Sequence, residues 1–211
     1  MPITTIEDIY SEFSSVNIYE PDSIIGFYEK NAIFFNNIKQ FKDADELIMY
    51  IEIVCRYATA IKDKGRYNLA IDFLEKHQVF IDQERKRLNI SDTDNFYYNG
   101  LSLIKGVAYY NLKDYKTSTP IFKKLVLLDN QSDLYAEWYQ YSLYGQRRWI
   151  SNVILIISMA LIAIGIVFSK AIKSPIIKIQ MDSIGILGIL GTSIYDYYTK
   201  RSFRKKKNSR I

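Results

Sequence analysis

One run of residues constrains the fold of this chain more than any other feature of its sequence. Residues 149–168 read WISNVILIISMALIAIGIVF, and no charged residue lies between Arg148 and Lys170. As an α-helix, these 20 residues would be about 30 Å long, which matches the hydrocarbon thickness of a bilayer. A helix in a soluble core rarely stays apolar on every face over this length. The run, taken as residues 149–169, therefore predicts a membrane-spanning helix.

A second apolar segment follows, but it is shorter. Only 13 residues, 183–195, separate Asp182 from Asp196, and as a helix they would reach only about 20 Å. A second crossing needs flanking residues, so we predict a helix over residues 183–199 with a start as early as Pro175, which suits a first helical turn. The alternative is a short helix that lies at the membrane surface without crossing.

The second segment carries a regular series of small residues. Gly185, Gly188 and Gly191 recur every three positions, and small residues let membrane helices approach closely. We predict that these glycines form a helix-packing face, either against the first apolar helix or between copies in a homo-oligomer. The candidate positions on the first apolar helix are Ser158, Ala163 and Gly165.

The distribution of basic residues predicts the topology. Residues 1–148 hold 18 Lys and Arg against 21 Asp and Glu, so the formal net charge of +5 comes from the part that follows. Nine basic residues flank the outer ends of the two apolar segments, whereas the loop over residues 170–182 has three. Because basic residues favour the cytoplasmic side, we predict a multi-pass membrane protein with two helices, an extracytoplasmic loop, and both its N-terminus and its C-terminus in the cytoplasm.

Residues 200–211 form a basic tail that contains seven Lys and Arg and no acid. Because the tail directly follows an apolar segment, anionic lipid headgroups are its expected partner, at up to about 1 kcal/mol per basic residue. We expect no binding to nucleic acid. The predicted lipid-binding residues are Lys200, Arg201, Arg204, Lys205, Lys206, Lys207 and Arg210.

The sequence offers few residues for catalysis or metal binding. Cys55 is its only cysteine and His77 its only histidine, which excludes a disulfide framework and most metal sites. The sequence contains no glycine-rich phosphate loop, and Cys55 lies on the apolar side of a predicted helix. We therefore expect no enzyme activity, no catalytic residue, no cofactor and no metal. The opening residues, MPITTIED, carry no secretory signal.

Two stretches of the polar part align with each other: GRYNLAIDFLEK at residues 65–76 and KDYKTSTPIFKK at residues 113–124. Each has a tyrosine after a short turn, followed by a small residue and then a bulky one. This spacing predicts paired helices, because small residues let two helices approach while bulky ones fill the gap between them. The aligned pairs are Tyr67 and Tyr115, Ala70 and Ser118, Leu74 and Phe122, and, nine residues before each tyrosine, Ala58 and Gly106.

The second stretch, extended to residues 106–130, resembles a tetratricopeptide repeat. The residues that carry the resemblance are Gly106, Tyr109, Leu112, Asp114, Tyr115, Ser118, Phe122 and Asp129. Residues 51–84 are less similar, residues 85–98 form an insertion or an extended helix, and Trp138 to Gly145 resemble the first helix of a truncated third unit. The resemblance, over residues 51–145, implies an all-α fold: a short stack of helical hairpins in a cytosolic domain (1–148), followed by the transmembrane helical hairpin.

Apolar residues at helical spacing support further helices in the same domain. They predict one helix over residues 47–61, with Asp43 and Glu46 as a capping box, and another over residues 23–38 that helps to close the stack. Isolated hairpins of this kind cannot bury their apolar faces, so added helices are expected. No strand pattern competes with these predictions.

The resemblance also implies a partner-binding groove, because such stacks present a concave face from the first helix of each pair. The corresponding residues are Arg56, Thr59, Lys62, Leu103, Val107, Tyr110 and Asn111. The leading hypothesis is a scaffold that holds a protein partner at the cytoplasmic membrane surface. Two alternatives stay open: an oligomerising effector that forms a pore or disrupts the membrane under control of the helical domain, and a subunit of a larger membrane complex.

Overall fold

The computed structural model describes residues 5–90, 96–167, 179–180, 183–195 and 197. Every regular element in these ranges is a helix, so the prediction of an all-α fold is confirmed. The chain divides into two compact units, Met1–Ser142 and Leu143–Ile211.

The helices of the first unit pack around α4. Helix α4 contacts α1, α2, α5 and α6, and α6 contacts α5 and α7, so α4–α5 and α6–α7 form successive antiparallel hairpins in a stack. The bounds in chain order are α1 (Ile6–Phe13), α2 (Pro21–Lys30), α3 (Ala32–Asn37), α4 (Ala44–Asp63), α5 (Tyr67–Arg87), α6 (Phe96–Asn111), α7 (Tyr115–Leu128) and α8 (Asp133–Val167). Helix α8 begins in the first unit, and its residues after Ser142 belong to the second.

Polar side chains cap the first turns of α1 and α4, where backbone N–H groups have no partner within the helix. Thr5 and Asp8 form a complete capping box, and the hydrogen bonds from Thr5 hold the pKa of Asp8 below its usual value. Asp43 accepts a hydrogen bond from the Glu46 N–H at 3.1 Å. The Glu46 carboxylate, however, accepts from the N–H of Lys42 at 2.7 Å. In the capping box predicted at α4, Glu46 therefore accepts from the N–H of Lys42 rather than from that of Asp43.

The single helix predicted over residues 23–38 is in fact two helices. Helix α2 ends at Lys30, and α3 begins at Ala32. Asn31, between them, has φ −98° and ψ 8°, and its side-chain amide donates to the carbonyl of Phe27 at 3.1 Å. Asparagine side chains compete for backbone groups in this way, which explains why apolar periodicity continues across a break in the helix.

The α4–α5 and α6–α7 turns share one backbone geometry. In each, a residue with positive φ, Gly65 (74°) or Lys113 (64°), lies two positions before the tyrosine that begins the next helix. Such a residue lets the last carbonyls of a helix find N–H partners. The same three hydrogen bonds occur in both turns, and again at the end of α5, where Asn89 has φ 54°. Lys64, Gly65 and Arg66 donate to the carbonyls of Ala60, Lys62 and Ile61, as Leu112, Lys113 and Asp114 donate to those of Ala108, Tyr110 and Tyr109.

The aligned small and bulky residues lie between paired helices, as their spacing predicts. Ala58, Ala70, Ser118 and Phe122 are fully buried. At Gly106, a Cβ atom would lie 2.7 Å from Cε1 of Phe122, a distance that no side chain could accept without displacing the ring. The absence of a side chain at this position therefore sets how closely α6 approaches α7.

A buried histidine joins three helices of the first unit. The hydroxyl of Tyr28 on α2 lies 3.2 Å from Nε2 of His77 on α5, and the hydroxyl of Tyr50 on α4 lies 2.5 Å from Nδ1. A neutral imidazole has one N–H donor and one acceptor nitrogen, so one phenol donates to the ring and the other accepts from it. Burial lowers the pKa of His77 to about 4, with a smaller contribution from Lys76.

A second buried polar group ties the segment before α4 to the end of α5. The Glu84 carboxylate accepts hydrogen bonds from Nε of Arg87 at 3.0 Å and from the N–H of Phe41 at 2.8 Å. Arg87 also donates to the carbonyl of Phe41. The hydrogen bond from Arg87 is the main reason that the pKa of Glu84 lies below its usual value. Because every partner is in place, this burial of a carboxylate is tolerated.

The second unit contains the rest of α8 and α9 (Ser183–Tyr195). Helix α8 has 35 residues and is the one helix in the described part of the chain that is long and apolar enough to cross a membrane. It runs from Asp133 without a break, as the sequence predicts for the approach to the apolar run. Helix α9 is shorter, and most of the predicted loop and of the flanks of α9 lies outside the described residues.

The His77 site predicts a pH-dependent stability of the first unit. The pKa of about 4 in the folded chain lies below the usual unfolded value of about 6.5, so the unfolded state binds the proton first. The free energy of unfolding should therefore fall by up to about 3 kcal/mol as the pH drops from 6.5 toward 4. Urea unfolding of the full chain in mild detergent, followed by circular dichroism, measures this change.

The matched control is His77→Gln, which keeps one donor and one acceptor but does not titrate in this range. It should lack the part of the pH dependence that His77 contributes, so that wild type and variant diverge only below about pH 6.5. Parallel pH profiles for the two proteins would contradict the assignment of a buried neutral histidine.

Candidate functional site

The predicted partner groove takes its first three residues from α4. Arg56, Thr59 and Lys62 follow at three-residue steps and are partly exposed. The Thr59 hydroxyl donates to a carbonyl one turn earlier at 2.8 Å, and Lys62 forms an ion pair with Asp63 at 2.7 Å. Arg56 lies 3.7 Å from Glu52, and its buried Nε has no hydrogen-bond partner within the described part of the chain. Arg56 thus has the most unused hydrogen-bonding capacity of the three.

The other four groove residues lie on α6, which packs directly against α4. Val107 is buried in a small core formed by α6, α7 and the start of α8, and Leu103 and Tyr110 pack against this core. The Tyr110 ring lies 5.3 Å from that of Trp138 on α8. Asn111 is exposed, and its amide donates to the Val107 carbonyl. Asn111 is therefore the most accessible of the four, whereas Val107 offers little surface to a partner.

The cysteine and the histidine are both placed in packed surroundings. Burial raises the pKa of Cys55 to about 11, so its thiol is protonated at neutral pH and is a weak nucleophile. A Cβ at Gly100 on α6 would lie 3.2 Å from the Cys55 sulfur, which places Cys55 at the contact between α4 and α6. His77 is enclosed by two tyrosines, as described above. Both residues have clear packing roles.

A cleft on another face of the first unit has no counterpart in the sequence analysis. It lies among α5, α6 and α7 and has a volume of about 300 Å³. The side chains that α7 contributes to the cleft are mostly apolar, and two lysines, Lys105 and Lys124, also line it. The lining residues are Gln78, Tyr98, Asn99, Ser102, Lys105, Pro120, Ile121, Lys124, Leu125 and Leu128. Ile121, Leu125 and Leu128 recur at helical spacing, the sequence signal that could have indicated this surface.

In the second unit, two of the three glycines of α9 contact α8 closely. A Cβ at Gly188 would lie 2.0 Å from Oγ of Ser158, and a Cβ at Gly185 would lie 2.5 Å from Cγ1 of Ile162. Around Gly191, by contrast, no such atom lies within 4 Å. The predicted contact with Ser158 is therefore present, and Ile162 takes the place expected for Ala163, which is exposed.

Most of the remaining surface of α8 and α9 in the second unit is apolar. Ile156, Ile166 and Leu187 each expose about two thirds of their surface (66%, 65% and 66%). Between Val153 and Ile157 every side chain is exposed, whereas Ser151 and Ser158, which lie seven positions apart on one face of the helix, are buried. The predicted lipid-binding residues from Lys200 to Arg210 lie outside the described residues.

Comparisons with protein-family models, with curated protein sequences and with solved structures find no match to this chain. The resemblance to tetratricopeptide repeats therefore stays a prediction from the sequence.

The Gly188–Ser158 contact predicts that Gly188→Ala weakens the packing of α9 on α8. The added methyl group would clash with Ser158, and such overpacking costs roughly 1–3 kcal/mol. The melting temperature of the full chain in mild detergent should fall accordingly. The matched control is Gly191→Ala, for which space is available and which should leave the melting temperature unchanged or raise it through the better helix propensity of alanine.

A second-site change tests the same contact from α8. In the Gly188→Ala background, Ser158→Ala removes the nearest atom and leaves the Ser158 Cβ at 3.2 Å from the new methyl group. It should therefore restore part of the lost stability. Equal effects of Gly188→Ala and Gly191→Ala, or no rescue by Ser158→Ala, would contradict the contact.

Proposed function

We propose that this chain is a membrane-anchored helical-repeat scaffold that holds a protein partner at the cytoplasmic surface of a membrane. The observation that carries the proposal is the exposed apolar surface of α8 and α9, on a chain whose first unit is an ordinary packed helical stack. The exposed side chains of α8 extend over several turns of the helix. A surface of this extent marks a site of contact with a membrane or a protein.

A bilayer accounts for this surface better than a protein partner does. The apolar run has the length of a membrane crossing, and Arg147 and Arg148 are exposed at its first end. Basic residues at such an end favour the cytoplasmic side. The close packing of Gly185 and Gly188 on α8 supports an antiparallel hairpin, so that α9, extended by its flanks, returns toward the side from which α8 came.

The first unit supports a binding role. The helices α4–α5 and α6–α7 form two antiparallel hairpins that pack side by side, which favours the interpretation that they are successive units of one repeat type. Such stacks commonly act through extended surfaces rather than through a catalytic centre. Of the predicted groove residues, Arg56, Lys62 and Asn111 are accessible and polar, and they are the positions at which we expect a partner to bind.

The oligomerising effector remains the second candidate, but the glycine face argues against it. In a ring of copies, Gly185 and Gly188 would have to contact a helix of a neighbouring chain. Here both glycines are in contact with α8 of the same chain. An effector would therefore have to assemble through another surface. The scaffold requires no such surface.

The proposed topology predicts a specific labelling pattern. With Cys55 replaced by alanine, a cysteine at Lys173 should react with an impermeant maleimide on intact cells. Cysteines at Ser14 and Ser209 should react only after the cells are opened. Labelling of Ser209→Cys from outside would contradict the hairpin and favour a single crossing. A separate extraction with alkaline carbonate tests the anchor, and release of the whole protein from membranes would contradict it.

The scaffold predicts a position-dependent partner. A photo-crosslinking residue at Lys62 or Asn111, in the full chain in its native membranes, should give the same crosslinked product of higher mass. The control position is Lys124, which lies at the α5–α7 cleft on another face. Crosslinking from Lys124 alone would contradict the groove assignment, and crosslinks only between copies of the chain would favour the effector.

A further inference from the structure

The α8–α9 hairpin encloses a crevice at the end where α8 enters its apolar run. The crevice has a volume of about 480 Å³, within the range of sites that bind small molecules. All of its lining residues belong to the second unit: Arg147, Ser151 and Ile154 on α8, and Gly188, Gly191, Thr192 and Tyr195 on α9.

The register of the two helices gives the crevice a closed end and an open mouth. Gly188 marks the closed end, because it is in direct contact with α8 at Ser158. Three residues later, at Gly191, an added Cβ atom would meet no atom within 4 Å. Arg147 and Tyr195 lie a further turn or more along their helices and form the mouth. From Ile154 to Arg147, the wall is about 10 Å long at the rise of an α-helix.

The chemistry of the lining changes from the closed end to the mouth. The inner part is formed by Ile154 and the two glycines, which offer only apolar surface and backbone that is already hydrogen-bonded within α9. Ser151 and Thr192, which carry hydroxyl groups, line the crevice between this part and Arg147. The Thr192 hydroxyl donates a hydrogen bond to the Ile189 carbonyl at 2.9 Å. Arg147 is exposed, and within the described residues no carboxylate forms an ion pair with it.

This order of groups matches an amphiphile with an apolar chain and an anionic head. In the proposed topology, the crevice opens at the cytoplasmic interface of the bilayer, where water cannot fill its apolar inner part favourably but a lipid chain can. A guanidinium group binds phosphate oxygens through paired hydrogen bonds. Basic pockets between membrane helices on the cytoplasmic side are typical sites for anionic lipid headgroups.

We propose that the crevice binds one anionic phospholipid, with the phosphate at Arg147 and an acyl chain against Ile154, Gly188 and Gly191. This inference rests on the proposed membrane anchor and adds to it a specific lipid site, separate from the basic tail. The gap at Gly191 is then a binding feature: a larger residue there would fill the space that the acyl chain occupies.

Native mass spectrometry of the full chain, released from mild detergent with added phosphatidylglycerol, tests the proposal. Wild type should retain one phosphatidylglycerol molecule more tightly than further copies, and should retain phosphatidylcholine less well. Arg147→Gln should weaken the retained lipid about tenfold or more, the effect of losing hydrogen bonds to a charged group. Gly191→Leu should abolish retention by filling the crevice.

The matched control is Arg148→Gln, which removes the same charge from an exposed neighbour that does not line the crevice. It should retain the lipid as wild type does, because Arg148 does not line the crevice, whereas nonspecific attraction to anionic lipid would be weakened equally by either substitution. Circular dichroism and size-exclusion chromatography of each variant establish that the chain is still folded. Equal losses in Arg147→Gln and Arg148→Gln would overturn the specific site in favour of nonspecific attraction.

Two other outcomes would also overturn the lipid site. If the mass spectra show a dimer that Gly191→Leu dissociates, a second copy of the chain occupies the crevice. If the protein is firmly anchored in membranes but retains no phosphatidylglycerol selectively, the site is wrong while the proposed anchor stands. Release by alkaline carbonate would instead refute the anchor itself, so the two failures can be told apart.

Discussion

Both units of this chain depend on places where a glycine lets two helices approach. In the first unit, Gly106 brings α6 against the buried ring of Phe122, and in the second, Gly188 brings α9 against Ser158. In the proposed topology, the same constraint acts in two environments. In water, close approach allows apolar side chains to be buried at high packing density. In a bilayer, where lipid is as apolar as the helices, close packing itself becomes a main source of association between them.

Two polar side chains buried inside the first unit, those of His77 and Glu84, are matched by hydrogen-bond partners. His77 is placed between two phenol hydroxyls, and Glu84 receives donors from Arg87 and Phe41. These groups join elements that are far apart in sequence, so they favour one arrangement of α2, α4 and α5 over other apolar packings. A buried polar group that loses its partner is costly, which makes such sites contribute to specificity as well as to stability.

Much of this architecture can be predicted from the sequence, and the failures have identifiable causes. Helical periodicity, the tyrosine alignment and the uncharged run indicate α4 to α8, because each depends on local spacing. The break at Asn31 was missed because apolar periodicity is unaffected by one side chain that bonds to the backbone. The α5–α7 cleft was missed because its walls come from three helices whose separation no local pattern records. The crevice at Gly191 could not be predicted for a similar reason: its walls come from two helices.

The helix geometry nevertheless explains why three equally spaced glycines have different roles. A step of three residues turns an α-helix by about 300°, so each glycine lies about 60° away from the preceding one around the axis. Gly185 and Gly188 therefore share a face that can contact one neighbouring helix, while Gly191 lies about 120° from Gly185 and turns away from it. The regular spacing thus produces a contact at one end of α9 and a gap at the other. Because Arg147 lies beside that gap, the geometry that closes the hairpin also creates the site at which an anionic lipid can enter it.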